Sequence, residues 1–259
     1  MTTTTSWRRR GCLYATAAGL EGPFEAEARD PDVLDAGEED RLLAGAPWRR
    51  YVTLGDSIAE GMAEEVDGYA PVHWSGRLAD ALRRRQPELD YLNLGRRDLR
   101  AAEIREQQLG PALEWRPDLA VIIGGGNDLL AEVFDPQAVV FELENIAVTV
   151  KQTGATVITS TMFDITKALE MPPEFGNELE TRLHSLFDEI RAMSARHGTV
   201  LIDFALEPFC ADAGIYATDF KHANARGHAL AASTAIRRLG ALLGNAPTPR
   251  SEVYAPTKS

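Results

Sequence analysis

Tyr51-Val52-Thr53-Leu54-Gly55-Asp56-Ser57 is a short run of β-branched, aromatic and apolar residues that stops abruptly at a glycine and two small polar residues. Val, Thr and Tyr favour the extended chain and Leu54 continues the apolar run, so the stretch reads as a buried strand. Gly55 lets the backbone turn sharply, and Asp56 or Ser57 can cap the next segment. Open α/β sheets bind ligands at the carboxyl ends of their strands, which is where Ser57 falls. Taken alone, Gly-Asp-Ser is more often a turn or a cap than a nucleophile, so its meaning rests on the rest of the chain.

The same rhythm recurs along the chain. Candidate strands are Arg50–Leu54, Tyr91–Leu94, Leu119–Ile123, Thr156–Ser160 and Val200–Phe204. Between them lie helical patterns. Val72–Arg85 carries Trp74, Leu78 and Leu82 on one face, and Ala101–Leu109 is followed by a second short turn at Pro111–Trp115. Gln137–Thr153 ends at Gly154 and Asn177–His197 ends at Gly198, as helices do, and Ala225–Leu243 closes the series. This alternation predicts an α/β fold, one doubly wound domain of about five parallel strands covered on both faces. It spans residues 43–245. Residues 1–42, rich in Thr and then in Asp and Glu, read as a flexible extension with one short helix near Glu38 to Leu43, and residues 246–259 as a flexible tail.

The chain has 259 residues, 44% hydrophobic and 25% charged, ordinary values for a globular protein with a full-sized core. Its formal net charge of −12 argues against a nucleic-acid or anionic-membrane partner, because binding phosphates needs clustered Lys and Arg. The run Arg83-Arg84-Arg85 reads as a solvated helix face. Cys12 and Cys210 are far apart and lack metal-ligand spacing, so neither a disulfide framework nor a structural zinc site is expected. No apolar run reaches the length of a membrane span. Arg8-Arg9-Arg10 before Gly11 to Leu20 mimics a secretory leader, but Thr16 and Gly19 break the apolar part. The expectation is a cytoplasmic protein.

Each of the first three strands is followed by an unusual polar loop. These are Gly55-Asp56-Ser57, then Asn93-Leu94-Gly95-Arg96-Arg97-Asp98, then Gly124-Gly125-Gly126-Asn127-Asp128. Three successive glycines imply backbone approaching something closely, with Asn127 held at the sheet edge. A fourth cluster, Thr218-Asp219-Phe220-Lys221-His222, precedes the closing helix. An Asp three residues before a His can bend back onto the imidazole Nδ1, leaving Nε2 free to take a proton.

This combination resembles the SGNH (GDSL-type) hydrolase family over roughly residues 43–243. Gly55-Asp56-Ser57 is similar to the block that supplies the nucleophile, Gly126-Asn127-Asp128 to the block whose Asn donates to the oxyanion, and Asp219-Phe220-Lys221-His222 to the Asp-x-x-His block. Trp48-Arg49-Arg50-Tyr51, Gln108-Leu109-Gly110-Pro111-Ala112-Leu113 and Gly227-His228 add a resemblance to short intracellular members common in actinobacteria. The resemblance implies a three-layer flavodoxin-like sheet. It also implies Ser57, His222 and Asp219 as catalytic residues, and Ser57, Asp98 and Asn127 around an oxyanion. One position departs from the family pattern. The glycine expected five positions beyond Asn93 is Asp98, whose backbone N–H survives but whose carboxylate opposes an oxyanion if it points inward; pairing with Arg96, Arg97 or Arg100 would turn it outward.

The reading is an esterase- or lipase-like acyl hydrolase for a small-molecule ester or thioester, with no metal or cofactor required. An acyltransferase on the same residues, or a non-catalytic binding protein on the same fold, are the alternatives. Asp56, Gly126, Phe163, Met171 and Phe175 are the expected substrate contacts. The long connection Phe163 to Gly176 reads equally as a pocket wall or as a surface loop, and Glu60, Glu64, Glu65 and Asp67 as a solvated acidic rim.

Overall fold

A computed structural model of the chain describes residues 24–245. Strands β1 (Arg50–Gly55), β2 (Asp90–Asn93), β3 (Leu119–Ile123), β4 (Thr156–Ser160) and β5 (Val200–Ile202) form one sheet in the order β2-β1-β3-β4-β5, every neighbouring pair parallel. This is the flavodoxin-like doubly wound order, and its switch point lies between β1 and β3. Gly55 is registered with Ile123 there, so the loops after both strands open at one edge.

Side chains alternate across a strand, and both faces of this sheet are covered, which is why the central strands read as unbroken apolar runs. Val52, Leu54, Ala120, Ile122 and Val157 pack in one core with α5 (Ala101–Trp115), α6 (Pro136–Lys151) and α7 (Pro173–His197). Tyr51, Leu119, Val121, Ile123 and Ile158 pack in the other with α4 (Trp74–Arg85) and α8 (Ala225–Leu242). Each fully buried Leu or Ile contributes roughly 1.5–3 kcal/mol, so β1 and β3 form the most firmly held part of the sheet.

Three expectations change. Helix α5 runs unbroken through Pro111. The proline removes one N–H, leaving the Gln107 carbonyl without its helical partner, but Gln107 is exposed while Ile104, Gln108 and Ala112 anchor both halves on the sheet. Helix α7 starts at Pro173 rather than at Asn177, because proline suits a first helical turn, so the end of the Phe163–Gly176 segment is helical. The expected flexible extension does not hold for residues 24–42, which form α1 (Glu25–Arg29) and α2 (Ala36–Leu42) and pack on the domain. Leu42 and Leu43 are fully buried, Leu34 N–H donates to Ser233 Oγ at 2.9 Å, and Glu27 pairs with Arg77 at 2.6 Å. Asp30 accepts from Tyr69 Oη at 2.8 Å and from Arg226 Nε at 2.9 Å. The polar ties among these are long-range, so no local periodicity announces them. The Arg8–Leu20 leader and the tail lie outside the described residues. Among the described residues no helix is long and apolar enough to cross a membrane.

Candidate active site

The Ser57 turn is held by sterics. A Cβ on Gly55 would stand 1.8 Å from the Ile123 carbonyl oxygen, so only glycine fits. The buried Gln108 amide clasps the same residue, accepting from Gly55 N–H and donating to Gly55 C=O, each at 2.8 Å. Ser57 then opens the short helix α3 (Ser57–Glu60), capped by Asp56 Oδ1 accepting from Ile58 N–H at 3.0 Å. Burial raises the Asp56 carboxyl to about 6, because its second oxygen lacks a hydrogen bond of full geometry and the Gly126 backbone relieves it only in part.

The second and third loops are locked to this turn and to each other. Asn93 Nδ2 donates to the Ala59 carbonyl at 2.8 Å, and Gly95 packs so closely that a Cβ would meet Glu60 N at 2.2 Å. Gly95 therefore belongs to this packing, and the left-handed position is Asp98, with φ 67°. Its side chain is exposed and joins none of the three arginines: Arg97 pairs with Glu60 at 2.9 Å and Arg96 donates to Gln107 at 3.2 Å. Asn127 Nδ2 donates to the Leu99 carbonyl at 2.9 Å, and Asp128 Oδ2 accepts from Ala101 N–H at 3.0 Å. Asp98 and Asn127 are thereby presented beside Ser57 on one cavity.

The fourth cluster arrives on a loop. His222 Nε2 lies 2.8 Å from Ser57 Oγ, and His222 Nδ1 lies 2.6 Å from Asp219 Oδ2. The carboxylate partner assigns the proton to Nδ1, so Nε2 accepts from the serine hydroxyl. Asp219 Oδ1 also accepts from Lys221 N–H at 2.9 Å and His222 N–H at 3.0 Å. Partial burial raises the Asp219 pKa, but these donors outweigh it and bring the carboxyl down to about 2. Phe220, between the two, has φ 56°, a conformation that costs a non-glycine residue roughly 1–2 kcal/mol.

Sequence reasoning missed what holds this loop. Glu64 Oε2 accepts from Thr218 N–H at 2.9 Å and from Thr218 Oγ1 at 2.6 Å, and Ala225 N–H donates to the Glu64 carbonyl at 2.8 Å. Those Thr218 bonds lower the Glu64 pKa. Glu60 and Glu64, expected as solvated rim acids, are thus committed to Arg97 and to Thr218. Asn224 caps α8 and donates to the Gly214 and Tyr216 carbonyls at 2.9 and 3.0 Å. The Asn-x-x-Gly spacing before α8 is a legible cap signal; nothing in the sequence marks Glu64.

Ser57, Asn127 and His222 open on a cavity of about 730 Å³, a size suited to a small organic ligand. Asp56, Gly126, Phe163, Met171 and Phe175 all line it, as does Asp98. Phe163 is a firm wall, packed edge-on against Phe204 and Phe209 with centroids 5.6 and 5.3 Å away. The Phe163–Gly176 segment therefore walls the cavity. His228 lines it as a neutral ring, its pKa pushed down to about 3 by burial, with Nε2 donating to the Met62 carbonyl at 2.9 Å. Among the described residues no grouping of three or more His, Cys, Asp or Glu side chains is placed to hold a metal ion.

A family model for GDSL-like lipases and acylhydrolases matches residues 53–230, a span that takes in all three loops and the Asp219–His222 turn. The chain belongs to that family. Solved structures share the fold: TesA at 21% identity and TM-score 0.56 (74% of this chain, 99% of that one), and a lipase/acylhydrolase from Enterococcus faecalis at 22% and 0.57 (78% and 100%). The psychrotrophic esterase EstA from Pseudoalteromonas sp. aligns at 15% and 0.59, over 76% and 100%. At these identities the likeness carries the fold and not the substrate. No curated protein sequence matches the chain significantly. Family and fold together support an ester hydrolase.

Proposed function

We propose that the protein hydrolyses an ester or thioester of a small molecule in two acyl-transfer steps through Ser57. The observation that carries this reading is the unbroken Ser57–His222–Asp219 series, 2.8 and 2.6 Å, at the cavity. His222 Nε2 takes the hydroxyl proton as Ser57 Oγ attacks the carbonyl carbon. Asp219, well ionised, orients the ring and stabilises the imidazolium that forms. The Ser57 N–H, the Asp98 N–H and the Asn127 amide receive the oxyanion, and Asp56, Gly126, Phe163, Met171 and Phe175 contact the substrate. The imidazolium then protonates the leaving group, and water, deprotonated by the same Nε2, releases the acyl group.

Hydrolysis of short-chain p-nitrophenyl esters by wild type and Ser57→Ala, with intact-mass detection of acyl-Ser57, tests this. Turnover lost in Ser57→Ala and an adduct on Ser57 are expected; turnover that survives the substitution would refute the serine mechanism. One feature favours a second reading. The exposed carboxylate of Asp98, unpaired with its neighbouring arginines, suits a cationic or hydroxyl-bearing acceptor, which would make the same site an acyltransferase. An adduct that persists until an amine or alcohol is added would favour it.

A further inference from the structure

Three non-glycine residues among the described ones have positive φ: Asp98, Arg116 and Phe220. Arg116 ends α5, an ordinary place for a left-handed residue. The other two line the cavity. Phe220 is the harder to explain, because aromatic residues gain nothing from that backbone conformation and the residue is 61% exposed. Phe220 therefore carries two unfavourable features, backbone strain and a solvated apolar ring. Strain that persists at a site points to function there.

The cavity shows what the ring meets. Leu129, Met162, Leu179 and Leu183 make its interior apolar, and the lining continues outward through Leu130 and Phe175, 55% and 51% exposed. Phe220 adds a third exposed apolar side chain on the same cavity, from a different loop. The charged residues of that wall, Asp219 and Lys221, are its chain neighbours. Asp219 is committed to His222, and Lys221 is exposed.

We infer that Phe220 is a specificity-determining residue: its ring covers an apolar chain of the substrate where that chain leaves the cavity interior, and the strained backbone is retained to hold it there. The chain's chemistry is alkyl, whether on the acyl or the alcohol side of the bond. The inference rests on the proposed ester chemistry for its choice of substrates, and its test separates the two.

Wild type, Phe220→Gly and Phe220→Leu are compared on two pairs of esters, p-nitrophenyl octanoate against acetate and octyl acetate against ethyl acetate. Phe220→Gly relieves the backbone and removes the ring. It is expected to raise the melting temperature by about 2–4 °C while lowering the long-to-short kcat/KM ratio for one of the pairs about ten-fold, the worth of cover for two methylene groups. The pair affected says whether the chain is acyl or alcohol. Phe220→Leu keeps an apolar side chain and holds the ratio within about three-fold. Both ratios within two-fold of wild type in Phe220→Gly would overturn the inference, whatever happens to stability. Binding of methyl octanoate and octyl acetate to the Ser57→Ala protein, with and without Phe220→Gly, is the second arm. Affinity that falls with the ring in a protein whose wild type turns over no ester supports the inference while refuting the proposed ester hydrolysis. Affinity that is undetectable, or unchanged by the loss of the ring, overturns it.

Discussion

Ser57 and His222 meet at 2.8 Å but are delivered by different physics. The Ser57 side is made of sheet and glycine. Gly55 touches Ile123, Gly95 touches α3, and Gln108 fills the hydrogen bonds of the turn. The His222 side is an exposed loop held by polar side chains, chiefly Glu64, Asp219 and Asn224. Close packing tolerates no added atom, whereas a hydrogen-bonded loop loses position gradually as bonds are removed. Substitutions on the first side should therefore act on folding and those on the second on rate.

The largest effect is expected at Gly55. Gly55→Ala places a methyl group 1.8 Å from a backbone oxygen in the sheet centre, so a loss on the order of 4 kcal/mol or more, or no soluble protein, is expected in thermal melts. A melting temperature within a few degrees of wild type would erase the contrast between the two sides. Asp56 extends that contrast to pH. Burial gives it a folded-state pKa of about 6 against an ordinary 3.8, so between those values the folded protein holds a proton that the unfolded chain releases. Stability accordingly falls as pH rises from about 4 to about 6, by on the order of 3 kcal/mol, and Asp56→Asn should flatten that slope in urea midpoints. An unaltered slope would place the burial cost elsewhere.

Smaller effects belong to the loop side. Glu64→Ala should lower kcat about ten-fold with little change in melting temperature, because a displaced imidazole loses alignment without unfolding anything. A melting temperature that drops with the rate would make Glu64 a plain structural residue. Smallest of all, and back on the Ser57 side, is Asp98→Gly, which removes an exposed carboxylate from beside the oxyanion position while keeping the backbone N–H. Screened by water, that charge is worth about three-fold in kcat/KM for a neutral ester, so a modest rise is expected. A fall would mean that the Asp98 side chain contacts substrate.

The same contrast explains what was legible in the sequence. Apolar runs stopping at glycine or polar residues marked all five strands to within two residues at their ends, and Gly-Asp-Ser, Gly-Asn-Asp and Asp-x-x-His marked the residues that meet. The left-handed backbone at Asp98 also agrees with its place in the second loop. Pro111 misled, because tertiary anchoring by Ile104 and Ala112 outweighed one lost hydrogen bond. The polar ties of residues 27–34 and the grip of Glu64 on Thr218 were invisible, since both join residues far apart in sequence through charge and hydrogen bonds. Local patterns report burial and turns; they do not report which distant partner a carboxylate finds.

Whether the sheet edge and the loop form one acyl-transfer site is decided by the rate at which an alkyl fluorophosphonate labels the protein, read by intact mass and peptide mapping. A single adduct on Ser57 is predicted, its formation slowed at least a hundred-fold in His222→Ala, on the order of what a positioned general base contributes. Labelling elsewhere, or labelling of Ser57 at an unchanged rate without His222, would contradict it.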